Sequence, residues 1–422
     1  MRSERCEVLI IGAGPAGLAA AITLHALGIR GVIVVEREEA PGGTPRYCHN
    51  PGFGLQDLRR LLSGPAYAQA YIEKAQALGI DIRTETMVTD WLGPCAVQLT
   101  SPRGIGRLEA QAILLATGCR ERPRSARLIP GSRPQGVFTT GSLQRFLQES
   151  RETIGRRAVI VGAELISLSA LHIALRAGIA VVAMVTEWDR PQIPFPYSLA
   201  QWYWAELRKR IRVICRSRVT QVMGQRRVEA VEITNLDSGD REVIACDTVI
   251  FTGDWIPENE LARAAGIALD SGTRGPRVDA HLRTSQPGIF AAGNVLRGAE
   301  MAGIAALEGR HAARAIQGYL ERGEWPSYRL PIRVAPPLQW ICPNEITSTQ
   351  EIPPSGVFRL RASGFLENAW IEVRQGKHLL YVKKVGRMIP NQSYKLPASW
   401  ISDVDLGKEP VEIYIRSRGS SH

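Results

Sequence analysis

No two of the seven cysteines stand three residues apart. Cys6, Cys48, Cys95, Cys119, Cys215, Cys246 and Cys342 are scattered along the chain, which excludes a C-x-x-C redox pair and the four-cysteine spacing of an iron–sulfur cluster. Such cysteines are expected to be reduced, as in a cytoplasmic protein. No apolar run reaches the roughly 18 residues needed to cross a bilayer, so no transmembrane segment is expected. The histidines, His25, His172, His311 and His378 among them, lack metal-ligand spacing, and no metal is expected. The 52 Lys and Arg against 41 Asp and Glu leave a net charge of +11. The arginines are dispersed, however, and no basic helix carries interleaved aromatics. The excess therefore reads as a solvated basic surface, and no nucleic-acid partner is expected. What remains is ordinary and globular: 45% hydrophobic and 22% charged over 422 residues, enough for a sizeable core and two or three domains.

Two glycine-rich segments then stand out. The apolar residues 8–11 read as a buried parallel strand, followed by Gly12, Gly14 and Gly17 in G-x-G-x-x-G spacing. Gly12 permits the tight turn, Gly14 lets a pyrophosphate approach, and Gly17 lets the next helix pack close. That helix, residues 16–27, aims its N-terminus at the phosphates, with Gly28 placed to stop it. A second strand, residues 32–35, ends in Glu36, nineteen residues after Gly17, where a ribose-binding acid is expected. Residues 158–167 repeat the pattern imperfectly. Gly162 is kept, but Glu164 and Ser167 replace the second and third glycines. A carboxylate at 164 would crowd the backbone and repel pyrophosphate. The strand at 179–185 still follows, so the fold is expected to persist around a degenerate nucleotide site. An altered site for another nucleotide, such as ATP, is the rival; NAD(P) comes last.

Further motifs carry a resemblance to the two-dinucleotide-binding-domain flavoproteins, the superfamily of thioredoxin reductase and the disulfide reductases. They are Gly42-Gly43, Leu114-Leu115-Ala116-Thr117-Gly118, Phe251-Thr252-Gly253 with Pro257, and Gly288-Ile289-Phe290-Ala291-Ala292-Gly293-Asn294. The resemblance implies FAD at the first site, held by Gly12, Gly14, Pro15, Ala16, Gly17, Glu36, Arg37, Gly43, Thr44, Arg46, Val88, Thr117, Gly118, Gly293, Asn294, Gly303 and Ile304. Asn294 stands where the superfamily has an aspartate toward the ribityl chain; an amide still bonds a hydroxyl, without the charge. The helix after Met301 would aim its N-terminus at the flavin pyrimidine. Pro45 and Asn50 occupy the positions of the disulfide reductases' cysteine pair.

Three segments narrow the match: Arg46-Tyr47-Cys48-His49-Asn50-Pro51-Gly52-Phe53-Gly54-Leu55 with Gly64-Pro65-Ala66-Tyr67-Ala68, then residues 117–141, then Gly309-Arg310. They resemble the flavoprotein subunit of multi-subunit dehydrogenases of the opine oxidase, hydroxyproline dehydrogenase and hydrogen cyanide synthase type. In that family a second flavoprotein subunit, resembling D-amino-acid oxidase, oxidises an amine or amino acid, and a small iron–sulfur protein or segment often completes the assembly. Family members with a C-terminal cysteine cluster differ from this chain, so any cluster would come from a partner.

The expected fold is α/β: two Rossmann-like dinucleotide-binding domains of the three-layer ββα type plus a small β-rich C-terminal domain. Residues 1–150 and 253–325 form a discontinuous FAD domain, 151–252 the degenerate NAD(P)-like domain, and 326–422 the β-rich domain, a docking element for a partner subunit. Short apolar runs at 357–360, 370–373, 379–382 and 411–415 carry that last assignment. The expected activity is that of an FAD-dependent oxidoreductase subunit passing electrons within a hetero-oligomeric amine or amino-acid dehydrogenase. The rivals are a self-sufficient NAD(P)H-dependent reductase and a non-catalytic nucleotide-binding scaffold. Cys48, His49 and Arg46 are the catalytic candidates: His49 to exchange protons with reduced flavin, Arg46 to stabilise its anion, Cys48 by nearness to the ring. The chain is expected in the cytoplasm or, through partners, against the inner membrane.

Overall fold

The computed structural model describes residues 2–149, 154–194 and 211–416. In chain order the principal elements are β1 (Arg2–Ile11), α1 (Pro15–Ala26), β2 (Val32–Val35), α2 (Gly64–Ala77), β3 (Gly104–Leu115), β4 (Arg157–Val161), α3 (Leu165–Arg176), β5 (Ala180–Val185), β6 (Ile289–Ala291), α4 (Ala302–Arg322), β7 (Leu366–Gln375) and β8 (His378–Met388). The chain divides into two compact units, one of residues up to Arg120 and from Ile256 onward, the other Glu121–Trp255.

The first unit is built on a seven-stranded sheet ordered Asp81–Arg83, β2, β1, β3, Ala96–Ser101, Met87–Gly93, with β6 also on β3. The parallel register sets Ile11 beside Val35 on one side and Leu115 on the other. All four residues of β2 are buried, as are residues 8–11 of β1, which is why both read as continuous apolar runs rather than alternating ones. The first half of β3, still parallel to β1 on one side, pairs antiparallel with Ala96–Ser101 on the other. This meander and the α1 and α4 layer make the three-layer ββα arrangement. Helices α1 and α4 pack tightly because both faces are small: a Cβ on Gly309 would lie 2.0 Å from Ala16 O. Helix α1 stops at Ala26, and Gly28 follows at φ +92°, a left-handed conformation that glycine adopts without strain.

Beyond α4, residues 330–416 form a five-stranded sheet ending in the β7–β8 hairpin and a three-stranded sheet of Leu338–Cys342, Val357–Ala362 and Tyr394–Pro397. They enclose their own core, with Trp400 stacked on Phe358 at 5.0 Å. Strand β8 lies at the sheet edge. The second unit has a five-stranded parallel sheet ordered Val137–Thr139, Thr248–Phe251, β4, β5, Arg212–Ile214, and a separate three-stranded antiparallel sheet. It is Rossmann-like in the sense that β4, α3 and β5 repeat β1, α1 and β2. No helix among the described residues is long and apolar enough to cross a membrane.

A polar network ties α4 to the β-rich segment. Arg283 donates to Asp279 at 2.7 Å and to Thr347 at 2.9 Å, His281 pairs with Glu351 at 3.3 Å, and His311 on α4 donates from Nε2 to Ala280 O at 2.8 Å. Burial pushes the His311 imidazole down to about 4 from 6.5, with His281 and Arg314 adding positive potential. A depressed pKa contributes stability above pH 6.5 that is lost as pH falls toward 4; the gap is worth about 3 kcal/mol. The thermal midpoint should therefore drop steeply between pH 6.5 and 4. His311→Gln, which keeps an N–H donor but cannot titrate, should flatten that slope. An unchanged slope in differential scanning fluorimetry would remove His311 as its source.

Candidate functional site

The first phosphate turn is closed by contacts that tolerate no side chain. Gly12 sits at φ +109°, and a Cβ there would lie 2.4 Å from Ala116 O; one on Gly17 would lie 1.9 Å from Gly12 O. At Gly14, by contrast, a Cβ would meet nothing within 4 Å, so the turn is open on that side. Gly14 is also the N-cap of α1 and offers no capping side chain; Pro15 and Ala16 begin the helix, and its first turn holds no acid. The result is a helix N-terminus with amides facing open space, the arrangement that binds phosphate.

Glu36 stands at the end of β2 with its carboxylate buried. Its Oε2 accepts from Ala13 N at 2.8 Å and Oε1 from Glu38 N at 3.0 Å. Each oxygen can accept a second bond, so the acid both fixes the turn and remains able to hold ribose hydroxyls. Thr86 N reaches Glu36 O at 2.9 Å, which brings the start of the Met87–Gly93 strand, with buried Val88, beside it. Gly43, at φ +61°, passes so near that its Cβ would lie 3.0 Å from Gly14 Cα. Thr44 follows in the 3-10 turn Thr44–Tyr47. Thr117 Oγ1 donates to Glu258 O at 2.8 Å, and Glu258 N to Gly118 O at 3.0 Å. The Glu258 side chain then pairs with Arg37 at 3.4 Å and Arg120 at 2.9 Å. Glu258 was invisible as a site residue because its partners lie more than a hundred positions away.

The late motif closes on the same place. A Cβ on Gly293 would lie 2.9 Å from the Ala16 Cβ. Asn294 Oδ1 accepts from Glu300 N at 3.1 Å, so its amide nitrogen is the end available to donate, which an aspartate could not do. Gly303 and Ile304 form the first turn of α4, whose N-cap Met301 makes no side-chain cap. Two open helix N-termini, an open glycine turn and a strand-end carboxylate are the features FAD requires, and these residues fit it. Bound there, the flavin would supply hydride and electron transfer.

The catalytic candidates share one loop. Arg46 Nη1 donates to Ala40 O at 2.7 Å, and its guanidinium lies 5.2 Å from the Tyr47 ring, so its charge is folded onto its own loop. Cys48 Sγ lies 3.5 Å from Thr44 O, and Cys48 O accepts from Gly64 N, anchoring the start of α2. His49 follows, exposed.

In the second unit the Glu164 carboxyl is not solvated but buried. The residue is 6% exposed and caps nothing at the start of α3. Its carboxyl turns inward against the glycines: a Cβ on Gly162 would lie 2.7 Å from Oε2, and one on Gly253 3.0 Å from Oε1. Oε1 has no hydrogen-bond partner, while Thr252 bonds the carboxyl. Burial pushes the acid up, against the pull of Thr252 and the Arg127 charge. Arg127 itself donates to Thr252 O and Gly253 O, both at 2.9 Å. Ser167 is fully buried and returns its hydroxyl to Glu164 O, which is how a hydroxyl is tolerated there. Where β4 and β5 end in Val161 and Val185, a crevice of about 440 Å³ is walled by Arg122, Arg127, Glu187 and Arg218.

Among curated proteins, the chain is 29% identical over 348 residues to the A-type subunit of opine oxidase from Agrobacterium tumefaciens (strain Ach5), covering 74% of this chain and 65% of that protein. It is 30% identical over 349 residues to the corresponding opine oxidase polypeptide of Rhizobium meliloti, covering 74% and 62%. The chain thus spans less than two thirds of the length of these relatives. Among solved structures, thioredoxin reductase of T. acidophilum superposes with a TM-score of 0.62 at 20% identity, over 74% of this chain and 98% of that one, which shows the shared fold. The description pyridine nucleotide-disulphide oxidoreductase matches residues 6–309. On that match the chain belongs to the pyridine nucleotide-disulphide oxidoreductase family and is an FAD-dependent oxidoreductase.

Proposed function

We propose that this chain is the FAD-carrying electron-transfer subunit of a hetero-oligomeric dehydrogenase for amines or amino acids. The observation that carries the reading is the buried Glu164 carboxyl, which fills the hollow where a nicotinamide dinucleotide would lay its pyrophosphate. With that route closed, electrons come from a partner: a second flavoprotein subunit resembling D-amino-acid oxidase, with a small iron–sulfur protein as a further carrier. The likeness to opine oxidase subunits supports this assignment. The crevice walled by Arg127 and Arg218 is where a second nucleotide such as ATP would sit, clear of the plugged turn. Residues 326–422 serve as the docking domain, and β8 is its candidate edge, an open strand with Leu379 exposed and Lys383, Lys384 and Arg387 along it.

Cys48, His49 and Arg46 stay the candidates for handling protons and charge beside the flavin. The test is an anaerobic titration of the purified chain with NADH and with NADPH, following flavin absorbance. The flavin should stay oxidised over minutes with either. Rapid bleaching would make the chain a self-sufficient reductase and overturn the proposal.

A further inference from the structure

One clamped carboxylate belongs to none of the motifs above. Asp57 Oδ2 accepts from Tyr67 Oη and from Tyr71 Oη, each at 2.7 Å. Arg310 on α4 holds the cluster from the far side, donating to Tyr71 Oη at 2.8 Å and to Asp57 O at 3.4 Å. Tyr67 is fully buried and Tyr71 4% exposed. Burial pushes both phenols well above their ordinary range, so they remain donors at every working pH. Two donors on one oxygen, each from a buried ring, leave the carboxylate no freedom to turn.

The other oxygen, Oδ1, is buried and has no hydrogen-bond partner. It lies against the first turn of α4, where a Cβ on Gly303 would come within 2.9 Å of it. A structural account would make Asp57 the cap of that helix. It is not one: Oδ1 takes no bond from the α4 amides, and α4 has neither a side-chain cap nor an acid in its first turn. An acceptor without a donor therefore sits beside the start of α4, where Ile304 N and Ala305 N turn back to Met301 O and only the amides ahead of them are left to face outward, and the two do not satisfy each other. Buried polar groups left so cost about 1–3 kcal/mol each and are ordinarily met by protein, water, an ion or a ligand.

The complement of this pattern is an imide edge, C=O next to N–H, which is the edge of the flavin pyrimidine. We infer that Asp57 orients the flavin: Oδ1 accepts from flavin N3–H while the first-turn amides of α4 donate to the neighbouring carbonyl. The inference rests on FAD binding in the first unit as proposed above. A carboxylate held against this ring also disfavours negative charge gained on reduction, so Asp57 lowers the flavin's midpoint potential.

In Asp57→Asn the tyrosines would hold the carbonyl and turn the NH2 toward N3–H, setting donor against donor. The experiment compares apoprotein binding of FAD and of FAD methylated at N3, for the parent chain, Asp57→Asn and Tyr71→Phe, with 15N spectra of N3-labelled FAD. The parent should prefer FAD at least tenfold over the methylated form. Asp57→Asn should lose that preference, shift the N3–H resonance and raise the midpoint potential, by about 30 mV for each tenfold change in the preference for reduced flavin. Tyr71→Phe should lie between. Should Asp57→Asn fail to fold, the parent's preference and Tyr71→Phe decide alone. FAD bound by the parent without preference, or an N3–H resonance that Asp57→Asn leaves in place, would overturn the role of Asp57 while leaving FAD binding intact. A parent apoprotein that takes up no FAD at all would overturn the underlying reading and this one with it.

Discussion

Replacing Glu308 with alanine is expected to destabilise the first unit by about 3–5 kcal/mol and to release its FAD. Glu308 on α4 is 5% exposed in its side chain and faces Arg297, exposed only 1%. Its Oε1 accepts from Arg297 Nη2, and its Oε2 from Gly293 N at 3.1 Å. One side chain thus neutralises a fully buried arginine and fixes the glycine that abuts α1. The surroundings cannot absorb its loss. Arg359 and Arg361 reach into the same region from the Val357–Ala362 strand, and burial weakens the hold of both on their protons. Among the described residues, the other acid paired with these arginines is Glu300, 3.7 Å from Arg297 and 3.8 Å from Arg361, already bound by Ser393. Alanine would leave three buried guanidiniums around a single carboxylate. Glu308→Gln loses the charge and one of the two acceptors but keeps the other, so it should fall between. The double variant Arg297→Met, Glu308→Leu removes both charges and should recover much of the loss, as apolar replacements of buried pairs commonly do. Urea midpoints followed by flavin and tryptophan fluorescence separate the cases. A Glu308→Ala protein within about 1 kcal/mol of the parent would show that water reaches Arg297 and that the pair is not dry.

The contrast between what could be read from the chain and what could not follows the range of the interaction. The fold was legible where one periodicity and one glycine pattern act over ten residues: β1, α1 and β2, then β4, α3 and β5, lie where strand, turn and helix chemistry put them. The β7–β8 hairpin was legible only as its apolar middle. Its strands run ten and eleven residues because exposed charged positions such as Glu367, Lys384 and Arg387 break the apolar run without breaking the ladder. The Asp57–Tyr71–Arg310 clamp joins residues more than two hundred positions apart, and no local pattern marks an aspartate whose partners are phenols. Gly64-Pro65-Ala66-Tyr67 and Gly309-Arg310 could be noticed as motifs, but their reason, packing and hydrogen bonding to one another's neighbours, needed coordinates. Arg46 carries the same lesson in reverse: a cation beside the Gly42-Gly43 turn suggests an anion, while the chain's own Ala40 carbonyl takes it.

Glu164→Gly should make the second unit bind nicotinamide dinucleotide, with affinity for NADH gained roughly tenfold or more, about 1.4 kcal/mol. The argument is steric and electrostatic together. On the proposed reading Gly162 and Gly253 form the floor on which a pyrophosphate would lie; the Glu164 carboxyl stands within 3.0 Å of where their Cβ atoms would be. Glycine restores the G-x-G spacing and removes the acid, while Ser167 stays folded onto the backbone of residue 164. Glu164→Gln separates the two terms, because it keeps the bulk and removes the charge, and should gain little. The same variant reads out the buried acid in another way. An acid whose pKa is raised on folding contributes stability that is fully present below its unfolded value, 4.5, and is lost as pH rises toward the folded value. The parent should therefore lose stability relative to Glu164→Gln on going from pH 4 to pH 8, and the difference should grow with pH. Calorimetric titration with NADH, together with thermal midpoints across that range, decides it. A glycine variant that gains no affinity while the glutamine variant flattens the pH profile would leave Glu164 a buried acid but not the plug, and would put the closure of the site on Ser167 and the arginine wall instead.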